Sequence, residues 1–379
     1  MDRVDCVIIG AGIVGLAIAR ALAIQGVEVV VLEGSPWIGA ETSSRNNEVI
    51  HAGFLYPKGS LKGRLCLPGR DALYEYCDQR GIDYRRVGKL VIAVDENDVK
   101  ALHSLEEQAR AYGMSEVSWL DSRMAAELEP ALHCAAALMS PSTGIIDSHA
   151  LMTSLRGDIE NAGGLVIVQC HAVSGEIVDH GFIVETIDVS RERYSLTCPW
   201  LINAAGLGAQ DFALALQGLN HSLVPRLYFC KGTFFYAKGT HFRQVIVPLG
   251  STLEQGGAFT LELGGQGKFG ADFEWVSRAN YAVDSERAGR AAKAVRRYYP
   301  ALRDEMLYPG YAGIRPRLSG PDSPSSDWSI QGPRHHGIPG LVQLFGIDTP
   351  GLTACLAIAD YVFGLLEERF TSDDPSLSQ

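Results

Sequence analysis

The chain opens on a short, almost wholly apolar run, Val4 to Ile9, of the kind buried on both faces of a parallel sheet. A glycine turn follows, Gly10-Ala-Gly12-Ile13-Val14-Gly15, and then an apolar segment, Leu16 to Ile24, that reads as a helix stopping at Gly26. Val27 to Leu32 is a second buried strand, closing on Glu33 and Gly34. Further on, Asp147 or Ser148 can cap a helix running to Asn161, Gly163-Gly164 end it, and Leu165 to Val173 reads as one strand adding a layer to the sheet. Trp200 to Ala205 is another buried strand, ending where Gly206 and Gly208 let a backbone lie against a ligand. At the end of the chain, Leu341 to Phe345 reads as a strand, Gly346 to Thr349 as a turn, and Leu352 to Arg369 as a long helix with Pro350 and Gly351 at its start.

Two stretches have a different grain. Residues 86–140 hold a strand, Lys89 to Val94, and a polar amphipathic helix, Glu96 to Ala111; residues 223–300 carry alternating strands such as Arg226 to Ala237 and Ala258 to Leu263 between glycine-rich turns. The expected fold is α/β: a Rossmann-like dinucleotide-binding domain from residues 1–85, 141–222 and 301–379, with an inserted α+β substrate-binding domain from 86–140 and 223–300. A chain of 379 residues suits two such lobes.

Charge and cysteine usage narrow the partners. A formal net charge of -11 with no cluster of Lys and Arg argues against nucleic acid and for a small molecule. The eight cysteines lie far apart, with no CxxC and no Cys/His set at metal-ligand spacing, so reduced thiols and no metal are expected. His335-His336, among Gly332, Pro333 and Gly337, reads as a solvent loop. No basic region precedes the apolar run from Cys6 to Ala19, which Arg20 and glycines interrupt, so it is not read as a signal peptide. No stretch is long and apolar enough to span a bilayer. The chain is expected in the cytoplasm, with any membrane association peripheral, at the inner face and through a quinone acceptor. No coiled coil or repeat points to an oligomeric state.

The turn has chemistry to perform. Gly10 permits the tight bend, Gly12 lets the backbone approach a pyrophosphate at the helix N-terminus, and Gly15 lets helix and strand pack closely. Glu33 can accept from both ribose hydroxyls and would repel the extra phosphate of NADP. The turn alone does not separate FAD from NAD.

A second block, Thr42-Ser43-Ser44-Arg45-Asn46-Asn-Glu-Val-Ile-His51-Ala-Gly53, continues as Leu55-Tyr56-Pro57-Lys58-Gly-Ser60-Leu61-Lys62. Four more follow in order: Ser142-Thr-Gly144-Ile-Ile-Asp147, Asn203-Ala204-Ala205-Gly206-Leu, Ala312-Gly313-Ile314-Arg315, and Gly346-Ile347-Asp348-Thr349-Pro350-Gly351-Leu352. Over nearly its whole length the chain resembles the D-amino-acid oxidase superfamily of flavoproteins, and within it most closely the L-2-hydroxyglutarate dehydrogenases. The resemblance implies FAD as cofactor and a substrate sheet that roofs the flavin. It implies that Thr42 to Asn46 and Gly313 to Arg315 lie against the cofactor, that the backbone at Val173 touches the adenine, and that Ala204 to Gly206 and Gly208 pack beside the cofactor. It also brings Gly346 to Thr353 to the flavin's N1 and C2 carbonyl, where a helix N-terminus stabilises the negative charge of reduction. Plain helix capping is the other reading of Asp348, Thr349 and Thr353.

Oxidation of an alcohol needs a base for the hydroxyl proton, a hydride acceptor and a cation to hold the acid. His51 is the candidate base; the alternatives are a structural histidine in a turn and, as in related amine dehydrogenases, a covalent attachment to FAD. Arg315 is the first candidate anchor for a substrate carboxylate and Lys231 the second, with Arg317 in place of Arg315 if the other side chain faces inward. Tyr56 and Lys62 could contribute a hydroxyl or a charge there; the favoured reading is a packed tyrosine and a solvated lysine. Many L-2-hydroxyglutarate dehydrogenases carry a histidine where this chain has Ala258, and Gly313-Ile-Arg-Pro316 is closer to amino-acid oxidases. The expected substrate is a small 2-hydroxy acid, with an amino acid or secondary amine as the alternative, and an inert flavin-binding or sensor protein as the reading from another class.

Overall fold

The structure is a computed structural model that describes residues 2–240, 242–321 and 323–367. Its centre is a six-stranded sheet in the order Leu165–Ile167, Val29–Leu32, Cys6–Ile9, Trp200–Asn203, Leu341–Phe345 and Ser329–Gln331. The first five strands are parallel and the last antiparallel. Runs such as CVII, VVVL and LVQLF are buried along their whole length. They can be apolar throughout because helices cover one face and a second sheet the other. In such a sheet a ligand binds beyond the carboxyl ends of the strands, where the chain order reverses on either side of Cys6–Ile9. Those ends deliver Gly10, Glu33, Ala204 and Gly346 to the same edge of the molecule.

Three helices pack together on one side: Ile13–Ala23, Leu61–Arg80 and Gly351–Glu367. The two longer ones approach so closely at Gly69 that an added Cβ would lie 2.6 Å from Ala354 Cα. A larger residue there would push the start of the C-terminal helix away from the sheet edge. On the other side lies a five-stranded sheet in the order Asp2–Arg3, Arg193–Cys198, Gly181–Asp188, Cys170–Val178 and Leu216–Gln217.

Above the strand ends stands a sheet of nine strands among the described residues, with Tyr228–Ala237, Gly267–Phe269, Phe259–Leu261, Val245–Pro248, Lys89–Ala93 and Ala136–Ser140 as consecutive neighbours. Its outer face packs on the helix Arg287–Val295 through Phe259, Phe269, Tyr298 and Val295. Its inner face turns to the dinucleotide turn. A small sheet, Val49–Ile50, Gly144–Ile146 and Tyr84–Arg85, joins the two halves.

Four expectations change. Leu165 to Val173 is not one strand: Leu165–Ile167 joins the parallel sheet, and Cys170–Val178 starts the five-stranded one after Gln169, whose φ is 57°. An apolar run continuous across a kink carries no mark of the change of sheet. The first helix begins at Ile13, not Leu16, because Gly12 is already its N-cap. Residues 301–379 do not all stay with the dinucleotide-binding part: Leu307–Arg317 pairs along its length with Tyr228–Ala237, while Ser329–Gln331, Leu341–Phe345 and Gly351–Glu367 remain with it. His335-His336 lies in a short helix, Pro333–His336, bounded by Gly332 and by Gly337 at φ 76°, rather than in a loop. The expected C-terminal helix is described as Gly351–Glu367; its expected end at Arg369 lies outside the described residues.

Candidate functional site

A cavity of about 520 Å³ runs along the carboxyl edge of the parallel sheet. One end is lined by Glu33, Gly34, His171 and Val173, the middle by Gly10, Gly12 to Gly15 and Ala204 to Gly208, and the far end by His51, Arg315 and Asp348 to Thr353. Thr42, Ser43, Arg45, Asn46, Gly313, Ile314 and Ile347 also line it. Two candidate cofactor residues do not. Ser44 turns outward to Glu41 O, and Gly346 spends its φ of 72° on the turn that leads into the site.

The glycines leave room that a side chain would fill. At Gly10, where φ is 101°, an added Cβ would stand 2.5 Å from Ala204 O; at Gly15 it would overlap Gly10 O, and at Gly313 Arg45 O. The helix Ile13–Ala23 has no side-chain cap at Gly12, although Ser43 Oγ accepts from Ile13 N at 3.0 Å. Gly12 to Gly15 line the cavity, so beyond Ile13 N the first turn of this helix is placed to receive a pyrophosphate. Glu33 is held in place by two backbone donors, Ala11 N at 3.0 Å and Ser35 N at 2.8 Å, one on each carboxylate oxygen. Arg45 lies over the ring of Tyr281 at 4.3 Å, and its buried Nε has no partner among the described residues. A long narrow cavity, a glycine cradle, a free helix end, an acid at one end and an unsatisfied guanidinium nitrogen fit a dinucleotide such as FAD.

His51 follows the strand Val49–Ile50 directly, so the pairing of that strand with Gly144–Ile146 sets where its backbone lies. Its N–H donates to Thr353 Oγ1 at 3.0 Å, and the same hydroxyl donates to Val49 O at 3.3 Å. Thr353 is fully buried, so its side chain fastens the histidine to the first turn of the C-terminal helix rather than merely capping that helix. The Nδ1 edge of the ring faces Lys89 Nζ at 3.3 Å and Tyr56 Oη at 3.5 Å. Burial, and then the Lys89 charge, hold the imidazole well below its ordinary pKa, so the ring is neutral at pH 7. Burial lowers Lys89 to about 8 and pushes the Tyr56 phenol well up.

Arg315 lines the same cavity. It stands beside Cys230 on the neighbouring strand, its guanidinium lies over Phe273 at 4.8 Å, and Nη1 donates to Asp272 O at 3.2 Å. Asp272 is itself held by Thr233 N at 2.8 Å and by Arg287 Nε at 2.6 Å. Arg317 need not replace Arg315: two positions apart on one strand, both face the same way and share the Phe273 ring. Lys231 differs. It lies one position from Gly232, which lines the cavity, and its side chain takes the other face of the sheet, with Nζ 3.8 Å from Glu274 Oε2.

Lys62 is not solvated. It is buried, with Nζ 2.8 Å from Asp348 Oδ1 and 3.2 Å from Ser326 O. Asp348 also meets Arg317 Nε at 3.3 Å and Trp328 Nε1 at 3.3 Å, so the turn before the C-terminal helix is pinned by two cations. Sequence reasoning missed Lys89, Asp272 and Arg287. A lysine at the head of an otherwise apolar strand is the only local signal that any of them gives.

All eight cysteines are free, and the described residues contain no group of His, Cys, Asp and Glu that could hold a metal. No described helix is long and apolar enough to cross a membrane.

Residues 5–365 match the profile of the DAO family, described as FAD dependent oxidoreductase. The chain is 37% identical to the mitochondrial L-2-hydroxyglutarate dehydrogenase of Arabidopsis thaliana over 95% of its length and 83% of that protein. It is 27% identical to a glycerol 3-phosphate dehydrogenase of Caloramator mitchellensis over 96% of its length and 74% of the relative. Its fold is that of L-alpha-glycerophosphate oxidase from Mycoplasma pneumoniae, with a TM-score of 0.87 at 21% identity, covering 97% of this chain and 96% of that one.

Proposed function

The chain belongs to the DAO family of FAD dependent oxidoreductases, and from that premise we propose that it oxidises the CH–OH carbon of L-2-hydroxyglutarate to the 2-oxo acid. The observation that carries the reading is that His51 and Arg315 line one cavity, which also holds the glycine turn and the C-terminal helix N-terminus. Likeness over most of both chains to the Arabidopsis enzyme supports the substrate.

FAD, when bound, supplies the acceptor for the hydride. Gly10, Gly12 to Gly15, Glu33, Ala204 to Gly208 and Asp348 to Thr353 would hold it. Arg315 binds a substrate carboxylate through its guanidinium, which Phe273 and Asp272 O keep in one orientation. His51, neutral because it is buried, takes the hydroxyl proton at Nε2, the ring nitrogen that neither Lys89 nor Tyr56 faces. Proton and hydride leave the same CH–OH group, and the 2-oxo acid remains. Phe234, Ala271 and Ile347 add apolar surface to the same cavity. Eight free thiols suit a reducing compartment such as the cytoplasm.

The test is anaerobic mixing of the flavin-loaded protein with L-2-hydroxyglutarate, its D enantiomer, glycerol 3-phosphate, glycine and sarcosine. Rapid bleaching by the L-hydroxy acid alone supports the reading. Bleaching by the amines with none by hydroxy acids replaces it with amine oxidation, and bleaching by nothing leaves a binding protein.

A further inference from the structure

A neutral imidazole has one N–H and one lone pair, so His51 accepts a proton at Nε2 only in the tautomer that carries its hydrogen on Nδ1. What faces Nδ1 therefore decides whether the ring can act. Lys89 Nζ stands 3.3 Å away. As an ammonium it has only N–H bonds to offer; it claims the Nδ1 lone pair and drives the ring hydrogen to Nε2. As a neutral amine it accepts from Nδ1–H and leaves Nε2 free. Tyr56 Oη, at 3.5 Å, serves either tautomer, because a hydroxyl both donates and accepts. On the reading of His51 as the base, we propose that Lys89 is a positioning residue whose protonation state selects the His51 tautomer and so gates removal of the substrate's hydroxyl proton.

The surroundings of Lys89 suit that part. It begins the strand Lys89–Ala93 opposite Ser140, is 1% exposed, and no carboxylate pairs with it among the described residues. A buried lysine without an acid partner is costly, and its amine gives up its proton readily. The other groups around the pair come from four elements. Cys66 and Arg70 lie on the helix Leu61–Arg80, with Cys66 Sγ donating to His51 O at 3.8 Å and Arg70 Nη1 to Ala52 O at 3.4 Å. Tyr112 bonds Tyr56 O at 3.0 Å, Asp348 acts on Tyr56 from the turn, and Thr353 holds the His51 backbone. Burial raises the Cys66 thiol to about 12 and moves the Tyr56 and Tyr112 phenols upward, so these stay protonated while Lys89 titrates near 8.

The test compares the flavin-loaded wild type with Lys89→Met, which removes the charge, and Lys89→Arg, which keeps it at every accessible pH. Wild-type flavin reduction by substrate rises through an apparent pKa near 8. Lys89→Met loses that limb and stays fast at neutral pH; Lys89→Arg is slowed about tenfold or more at every pH. A purely structural lysine would be rescued better by arginine than by methionine, and the opposite order supports the proposal. Nitrogen-15 NMR of the labelled wild-type holoenzyme gives a reading independent of any variant: the His51 ring hydrogen moves from Nε2 to Nδ1 between about pH 7 and 9. An alkaline limb unchanged in Lys89→Met, or a His51 tautomer that does not respond to pH, overturns the proposal. His51→Asn separates this from the base reading: wild-type rates in that variant would sink the base, whereas slow rates beside an unchanged Lys89→Met profile would sink only the role given to Lys89.

Discussion

The hydroxyl of Thr353 accepts the backbone N–H of His51 at 3.0 Å across 302 residues of sequence. It ties the candidate base to the helix end on which the cofactor's negative charge would fall. Thr353→Val keeps the shape and leaves the His51 N–H buried without a partner, a loss of about 1–3 kcal/mol. Urea unfolding should show that drop together with slower flavin reduction, and Thr353→Ser should restore both.

Asp348 takes charge from Lys62 and Arg317, whose side chains are 10% and 17% exposed. Asp348→Asn strands two buried cations, so a destabilisation of about 3 kcal/mol is expected in denaturant titration. Lys62→Met combined with Asp348→Asn should recover part of it. A single-variant loss under about 1 kcal/mol would mean that the cluster is solvated in solution.

Folding stability should fall as the pH drops below 6.5. The unfolded chain protonates His51 at its ordinary pKa while the folded chain, where burial disfavours the charged ring, does not. The unfolded state then binds more protons, and stability rises with pH through that window. His51→Phe should flatten the slope measured by thermal unfolding between pH 5 and 7; an unaltered slope would place the proton uptake elsewhere.

Arg315 is predicted to act on binding more than on chemistry. Loss of a charge-assisted pair in Arg315→Met should raise KM for the hydroxy acid about 100-fold with a smaller effect on kcat. Arg315→Lys should recover only part, since an ammonium lacks the fork and does not stack on Phe273 in the same way. Lys231→Met, on the other face of the sheet, should leave KM near its wild-type value.

What the sequence made legible was local. Gly10, Gly12, Gly15 and Glu33 form a turn whose constraints act within about twenty residues, and Gly346 to Gly351 another, so both could be read before the fold was known. Arg315 was reachable because it follows Gly313 by two residues, a position where an added Cβ would overlap Arg45 O. Lys89 was not, because its direction depends on pairing with Val245–Pro248 and Ala136–Ser140, both distant in sequence. The choice between Lys231 and Arg315 turned on strand parity across a sheet with an irregular register at Thr233, which no local pattern marks. Lys62 looked solvated because its partner Asp348 lies 286 residues further along the chain.

The most direct test is single-turnover reduction of the bound flavin, without oxygen, by the two enantiomers of 2-hydroxyglutarate in wild type and His51→Asn. Fast bleaching by the L form, little by the D form, and a slowing of about 100-fold or more in the variant with substrate binding retained are expected. Equal rates for both enantiomers, or a His51→Asn protein as fast as the wild type, would contradict the proposed function.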